Sequence, residues 1–384
     1  MPSPETEPTD EIADDALIAP APTPAPPPAQ APRRDLGPLF QRLRPWLWAC
    51  AALIVGVPLV LTLISAFTSP PHVSGVPLGR LVYLEADSPS EHTTTLRGLY
   101  LVGPGGSSRL LVHETEPQDA DGGVREWITQ PALSPDGTRI AFEKQFISLQ
   151  EERQSIVNQI WVMPLTPTSQ PGSLPHLVID LTKQKMKQVV GLAWDSDSSL
   201  VFLQDGVSYS VATDTADPPL QTPLDLHGFT LATHGDVSAT RAPALAEAGN
   251  DSGAFAFEAE TTTGPRVFIQ SGGVTSVGPA ASVFSLSPTG ERLAYAAPEG
   301  GRVISTYDVA AHKPGPDIPV RWGWSVFGKR RITSLRWSPD GRQIGFTVSK
   351  PPVPDDEIFA VDTTTGKTVQ LPYRTGRAAW DWGK

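Results

Sequence analysis

Cysteine is nearly absent from this 384-residue chain: Cys50 stands alone, so no internal disulfide can form. Histidine is sparse as well. His72, His92, His113, His176, His227, His234 and His312 are scattered, with no pair at metal-ligand spacing. No metal and no cofactor are expected on that ground. No Gly-x-Ser-x-Gly elbow occurs, and Gly366-Lys367-Thr368 lacks the upstream glycine of a phosphate loop. With no linear catalytic motif, the chain is expected not to be an enzyme. Positive charge is the minority sign, with 30 Lys and Arg against 41 Asp and Glu. Of the net charge of −11, residues 1–67 carry −3, which leaves −8 for the rest. General nucleic-acid binding needs a basic footprint, so it is excluded as an expectation.

What the chain has in excess is turn chemistry, with 41 Pro and 33 Gly. Much of it recurs in one pattern. Ser334-Leu335-Arg336-Trp337-Ser338-Pro339-Asp340-Gly341 leads into Ile344 and Phe346, a strand, a tight turn and a second strand. The same unit appears at 131–142 and at 284–295, where Thr289 replaces the aspartate. Weaker copies lie at 192–202 and around 243–257. Asp136 and Asp340 sit in these turns, where local backbone bonding is their expected task. A single hairpin is unstable alone, and repeats of this length holding several short strands are the signature of propeller blades.

Six blades are expected: blade one from 78–115 joined to 376–384, then about 128–182, 188–223, 228–278, 280–313 and 331–372. Residues 78–115 hold three strands without a first. Arg377 to Trp382 copies the start of a repeat and then the chain stops. A C-terminal strand completing an N-terminal blade closes the ring and removes free edges. The Ser-Pro-Asp-Gly unit, with strands such as Gln159-Ile160-Trp161-Val162-Met163 and Glu357 to Asp362, resembles the repeat of TolB-like periplasmic propellers over about 78–384. The resemblance implies the fold. TolB itself has an α/β domain before its propeller, where this chain has only a short segment, so the resemblance does not carry over TolB's role in the cell envelope.

The N-terminal quarter differs in kind. Residues 1–45 combine six carboxylates before position 16, a Pro-Ala run at 20–28 and Arg33, Arg34, Arg42 and Arg44. They read as a disordered cytoplasmic tail with a basic juxtamembrane end. Residues 46–67 carry no charge. As a helix they would span about 33 Å, enough for a bilayer core of ~30 Å, with Trp46 and Trp48 at the interface. A cleaved signal peptide is the competing reading, and the late start and length of the run argue against it. Residues 68–77 are a tether. The expected fold is therefore all-β, a closed six-bladed propeller at 78–384, preceded by one transmembrane helix and a disordered tail. The propeller is placed outside the cytoplasm.

In each blade the first-to-second and third-to-fourth turns share one face, and the remaining loops share the other. The tether enters on the Ser-Pro-Asp-Gly face, so the opposite face is expected to point away from the membrane. Two elaborations belong to that distal face. Glu143 to Gln159 reads as a projecting hairpin or a short helix, with Phe146, Glu151 and Arg153 as candidate contacts. The linker 321–331 offers Trp322, Trp324, Phe327, Lys329, Arg330 and Arg331, since aromatics beside basic groups favour interfaces. Alternatively, the aromatics plug a gap between blades while the cations are solvated. The function expected is a non-catalytic scaffold or sensor that docks a protein or peptide. A hydrolase or lyase site in the channel, or a carbohydrate-binding module, are the alternatives.

Overall fold

The computed structural model describes residues 70–73 and 79–384, with breaks at 86–97, 115–123, 151–152, 166–173, 187–189, 205–206, 216, 225–244, 247–253, 272–273, 298–300, 324–328, 351–352 and 377–379. All of these belong to the second of two units of the chain, Thr62–Lys384. The transmembrane and tail expectations fall on 1–67, outside the described residues. Among the described residues no helix is long and apolar enough to cross a membrane.

The described chain is all strand and turn, in six antiparallel sheets. Blade 1 holds β1 (Arg80–Leu84), β2 (Gly98–Val102) and β3 (Ser108–His113). Blade 2 holds β4 (Val124–Leu133), β5 (Arg139–Gln150), β6 (Arg153–Pro164) and β7 (His176–Asp180). Blade 3 holds β8 (Val190–Ser196), β9 (Ser199–Gln204), β10 (Val207–Ala212) and β11 (Leu220–Pro223). Blade 4 holds β12 (Leu245–Ala246), β13 (Phe255–Thr261), β14 (Gly264–Ser271) and β15 (Val274–Val277). Blade 5 holds β16 (Val283–Leu286), β17 (Arg292–Ala296), β18 (Val303–Asp308), β19 (Lys313–Pro314) and β20 (Ile318–Pro319). Blade 6 holds β21 (Ile332–Trp337), β22 (Gln343–Lys350), β23 (Val353–Asp362) and β24 (Thr368–Gly376). The last strand, β25 (Trp380–Gly383), pairs with β1 and becomes the inner strand of blade 1.

The inner strands β25, β4, β8, β12, β16 and β21 touch in that order, and β21 returns to β25. The ring is thus closed by the C-terminal strand, as the sequence pattern implies. Among the described residues the inner strand of blade 4 is Leu245–Ala246. Blade 5 extends beyond 313, because its outer strand is split into β19 and β20, both paired with β18. The tether expected at 68–77 is not wholly free. Val73 N–H donates to Gln370 O at 3.1 Å and Gln370 N–H to Pro71 O at 2.9 Å, so 70–73 run beside β24.

The turns explain the repeat. Ser134 and Ser338 each accept the Gly137 or Gly341 N–H on their carbonyl, and their hydroxyls donate to Asp136 and Asp340. The glycines close the turn with φ near +70°, a region costly for side chains (Gly137 φ 69, Gly341 φ 68). Burial opposes ionisation of Asp136, but hydrogen bonds from Ser134 and Thr138 outweigh it and hold its carboxyl below the usual range. At Asp362, bonds from the Thr365 backbone and hydroxyl do the same. A carboxylate whose folded pKa is depressed stabilises the fold above its unfolded pKa and loses that contribution as pH falls through the folded one. Stability is therefore expected to drop below about pH 4. An Asp136→Asn/Asp362→Asn double variant is expected to show a flatter acid limb in melting temperature against pH. An unchanged limb would contradict this.

Core packing runs between blades. One cluster joins blades 2 and 3 through Ala141, Ile160, Leu192, Trp194 and Phe202, and another joins blades 5 and 6 through Ile304, Trp322, Trp337 and Phe346. A repeated fastening accompanies it. Trp194 Nε1–H donates to Ala132 O at 2.9 Å, and Trp337 Nε1–H to Ser285 O at 3.0 Å, each reaching the preceding inner strand. Arg139 and Arg292, the residues after the turns of the preceding blades, lie over those indoles at 5.1 and 5.0 Å. At the closure the space comes from Gly345, where a Cβ would lie 2.5 Å from Trp380 Cη2 and 2.9 Å from Trp382 Cε3. Gly345→Val is expected to cost about 1–3 kcal/mol by overpacking. Chemical denaturation measures it, and a neutral result would mean that both indoles can shift.

Candidate functional site

The four Ser-type turns that join inner to second strands at 134–138, 196–199, 287–291 and 338–342 mark one face, here the turn face. Because strands alternate in direction, the β5–β6 and β22–β23 turns lie on the other, far face. The far face is uneven. β5 and β6 have 12 residues each and pair from Arg139↔Pro164 to Gln150↔Arg153, and β4 follows them out to Val124↔Ser148. The corresponding strands of blade 3, β9 and β10, have six residues each. β23 and β24 of blade 6 are long as well, with 10 and nine residues. Two raised walls thus flank blade 1, the blade completed by the chain terminus.

The expected hairpin at 143–159 is present as β5 and β6. It projects because its strands hold their register through all 12 pairs. Phe146 is half-buried on its blade 1 side, where Lys144 Nζ lies 5.9 Å from its ring and 5.5 Å from that of Trp161. Lys144 also pairs with Glu126 at 3.4 Å. Arg153 begins β6, and Glu151 lies outside the described residues. At the base of this wall Glu143 is fully buried and accepts from Thr129 Oγ1 at 2.7 Å. Gln145 and Asn158 are buried above it. Gln130 reaches Glu143 from a left-handed backbone position (φ 50) at the β4 bulge.

The linker residues divide. Trp322 is core: it is 3% exposed, packs on Phe346 with ring centroids 6.3 Å apart, and carries Arg302 over its face at 5.3 Å. It fills the gap between blades 5 and 6 and offers no surface. Arg330 is also buried, paired with Glu357 and donating to Gly323 O at 2.8 Å. Lys329 and Arg331 are exposed. Trp324 and Phe327 lie outside the described residues.

The inner strands carry charge that the sequence reading did not single out. Asp381 is buried, accepts Leu133 N–H at 2.6 Å and lies 3.5 Å from Arg336 Nε. It therefore ties blade 1 to blades 2 and 6. Beside it runs a chain of bonded groups: Asp356 accepts from Thr333, whose hydroxyl meets Thr347 at 2.8 Å. Thr347 meets Ser334 at 2.6 Å, and Trp380 Nε1–H donates to Ser334 Oγ at 2.5 Å. Burial raises the Tyr83 phenol, and burial with hydrogen bonding to Glu85 pushes Tyr100 up to about 12, so both stay protonated at neutral pH. Among the described residues no three metal-ligating side chains gather.

No protein-family profile and no curated protein matches the sequence. Solved structures similar to the chain include a TolB of Agrobacterium tumefaciens, 12% identical with TM-score 0.42, covering 76% of this chain and 87% of that one. They also include an oligogalacturonate lyase of Vibrio parahaemolyticus (8%, TM-score 0.41, 70% and 73% covered). A gluconolactonase of Xanthomonas campestris is a third (10%, TM-score 0.40, 71% and 90% covered). The expectation that the chain is not an enzyme is corrected here. Lyases and lactonases stand among its structural neighbours, and a propeller gathers site residues from several blades that no linear motif reveals.

Proposed function

We propose that this propeller is a recognition module that docks a protein or peptide on its far face. In this reading it is displayed outside the cytoplasm on a single membrane-spanning helix at 46–67. The observation that carries the reading is the pair of raised walls on blades 2 and 6. Strands that outgrow a ring bury little of their own surface, and Val124 and Ile156 on the blade 2 wall are 47% and 46% exposed. Phe146, Glu151 and Arg153 on that wall and Trp324, Phe327, Lys329 and Arg331 of the linker are the proposed contacts.

The test shortens the wall without touching the ring. Ile147 and Ile156 are paired, so Ser148–Ser155 can be replaced by Asn-Gly. Crosslinked pull-down from native membranes is expected to lose a specific partner with this variant while its melting curve is kept. A partner retained in full would place the docking surface elsewhere. A second reading, hydrolase or lyase chemistry in the channel, is favoured by the Asp381–Arg336 pair on the inner strands. Under that reading turnover would be abolished by Arg336→Gln and unaffected by the shortened wall.

A further inference from the structure

The proline-bearing segment ahead of blade 1 does more than connect. Gln370 N–H donates to Pro71 O at 2.9 Å and Val73 N–H donates to Gln370 O at 3.1 Å, so His72 stands opposite Gln370 in a parallel bridge. Pro70 is buried, and Val73 packs against the core cluster of blades 6 and 1 that includes Leu371 and Tyr373. Pro71 and His72 are exposed. This is strand addition to the outer edge of β24: backbone bonds hold the segment, and the side chains on either end of it seat it.

Proline on each strand confines the pairing. In a parallel ladder the flanking bonds would run from the residue 71 amide to Thr368 O and from the residue 372 amide to Val73 O. Both positions are proline, Pro71 and Pro372, and neither has an N–H to give. Two backbone bonds contribute little net free energy in water, so the segment can leave its seat. What stays behind is an edge with one donor and one acceptor, both on Gln370, and an apolar margin at Val369, Leu371 and Tyr373.

We propose that the Gln370 edge of blade 6 is a peptide-binding site that residues 70–73 occupy within their own chain, and that its ligand is an extended Pro-Pro-x-Val segment of a protein partner. The seated segment defines each position. The first residue is buried, the second supplies a carbonyl and needs no amide, the third is exposed, and the fourth supplies an amide and an apolar side chain. Consecutive prolines suit the first two positions, because they hold a segment extended before it binds and so reduce the ordering cost. Proline is excluded from the fourth, since its missing amide would leave Gln370 O without that donor. The seat uses neither the blade 2 wall nor the 321–331 linker, so it stands apart from the far-face reading.

The test uses the full chain in nanodiscs of zwitterionic lipid and a fluorescent peptide with the sequence of residues 68–75. In a Val73→Pro chain the tethered segment loses its amide and its apolar contact, which vacates the edge. Anisotropy is expected to show the peptide binding this variant about tenfold or more tightly than the unaltered chain, whose own segment competes at the high effective concentration of a short tether. A peptide with proline in place of its valine should not bind. Hydrogen exchange over 366–376, read by mass spectrometry, should slow with the first peptide and not with the second. A melting curve checks that Val73→Pro leaves the ring folded. Equal binding to both chains, binding of the proline peptide, or no binding to the vacated edge overturns the proposal. So does a dimer of the unaltered chain that Val73→Pro dissolves, because the segment would then be seated between copies rather than within its own chain.

Discussion

Replacing Trp380 by alanine is expected to destabilise the propeller by about 3–5 kcal/mol, the range for removing a fully buried aromatic. Trp380 is wholly buried, stacks over Gly345 and ends the hydroxyl chain that runs back to Asp356. It also sits on the one strand that turns an open row of blades into a ring. Its loss therefore removes packing at the junction of blades 1 and 6 and an indole bond in the same place. A chain lacking 380–384 should fare worse. Blade 1 would keep three strands, the edge of β1 would be bare, and exposed edges invite association between molecules. Denaturation midpoints and size-exclusion profiles measure both effects. Leu220→Ala, at an exposed position of an outer strand, is the control and should stay within about 0.5 kcal/mol. A Trp380→Ala variant that behaves like this control would mean that the closing strand contributes little in solution.

The second large effect is expected at Glu357. Replacing it by alanine leaves the Arg330 guanidinium buried without its counter-charge, which costs about 3–5 kcal/mol. Replacing both partners with apolar groups, Arg330→Met with Glu357→Leu, should be far milder, because no uncompensated charge remains. A double-mutant cycle in urea separates the two cases. If Glu357→Ala lost less than about 1 kcal/mol, the pair would have to be hydrated rather than buried. The same cycle bears on the linker as a recognition element, since releasing Arg330 from Gly323 O and Glu357 should weaken any contact through the adjacent Lys329 and Arg331 without removing either charge.

Much of the architecture is legible in local chemistry. Ser134 to Gly137 and Ser338 to Gly341 specify turns through bonds that span only a few residues, so their sequence is enough to identify them. The hairpin at 139–164 is legible for a related reason: alternation carried through Phe146 and Ile156 implies strands longer than a blade needs. Even the C-terminal Trp380-Asp381-Trp382 can be recognised as a displaced first strand, because it repeats the apolar-x-apolar ending of Leu335-Arg336-Trp337. The tether is less legible. Nothing in Pro70 to Val73 shows that it will run along β24, since its partner Gln370 lies some 300 residues away and both contribute only backbone groups.

Side-chain roles divide along the same line. Trp322 and Lys329 lie in one linker and read alike as surface candidates, yet Trp322 is core and Lys329 is exposed. Arg330 and Arg331 are neighbours of the same type, and only one of them meets a buried carboxylate. Glu143 was open to a sharper reading, because a carboxylate inside the apolar alternation from Ile140 to Ile147 signals a buried polar position. The sequence by itself determined the turns, the strand periodicity, the number of blades and the terminal closure, all of which rest on interactions between residues close in the chain or on a repeat. The tertiary structure decided which charges are buried, which aromatics fill the gaps between blades, and that Asp381 joins three inner strands. Those outcomes depend on contacts between blades, and no spacing within one repeat encodes what the next blade presents across the gap.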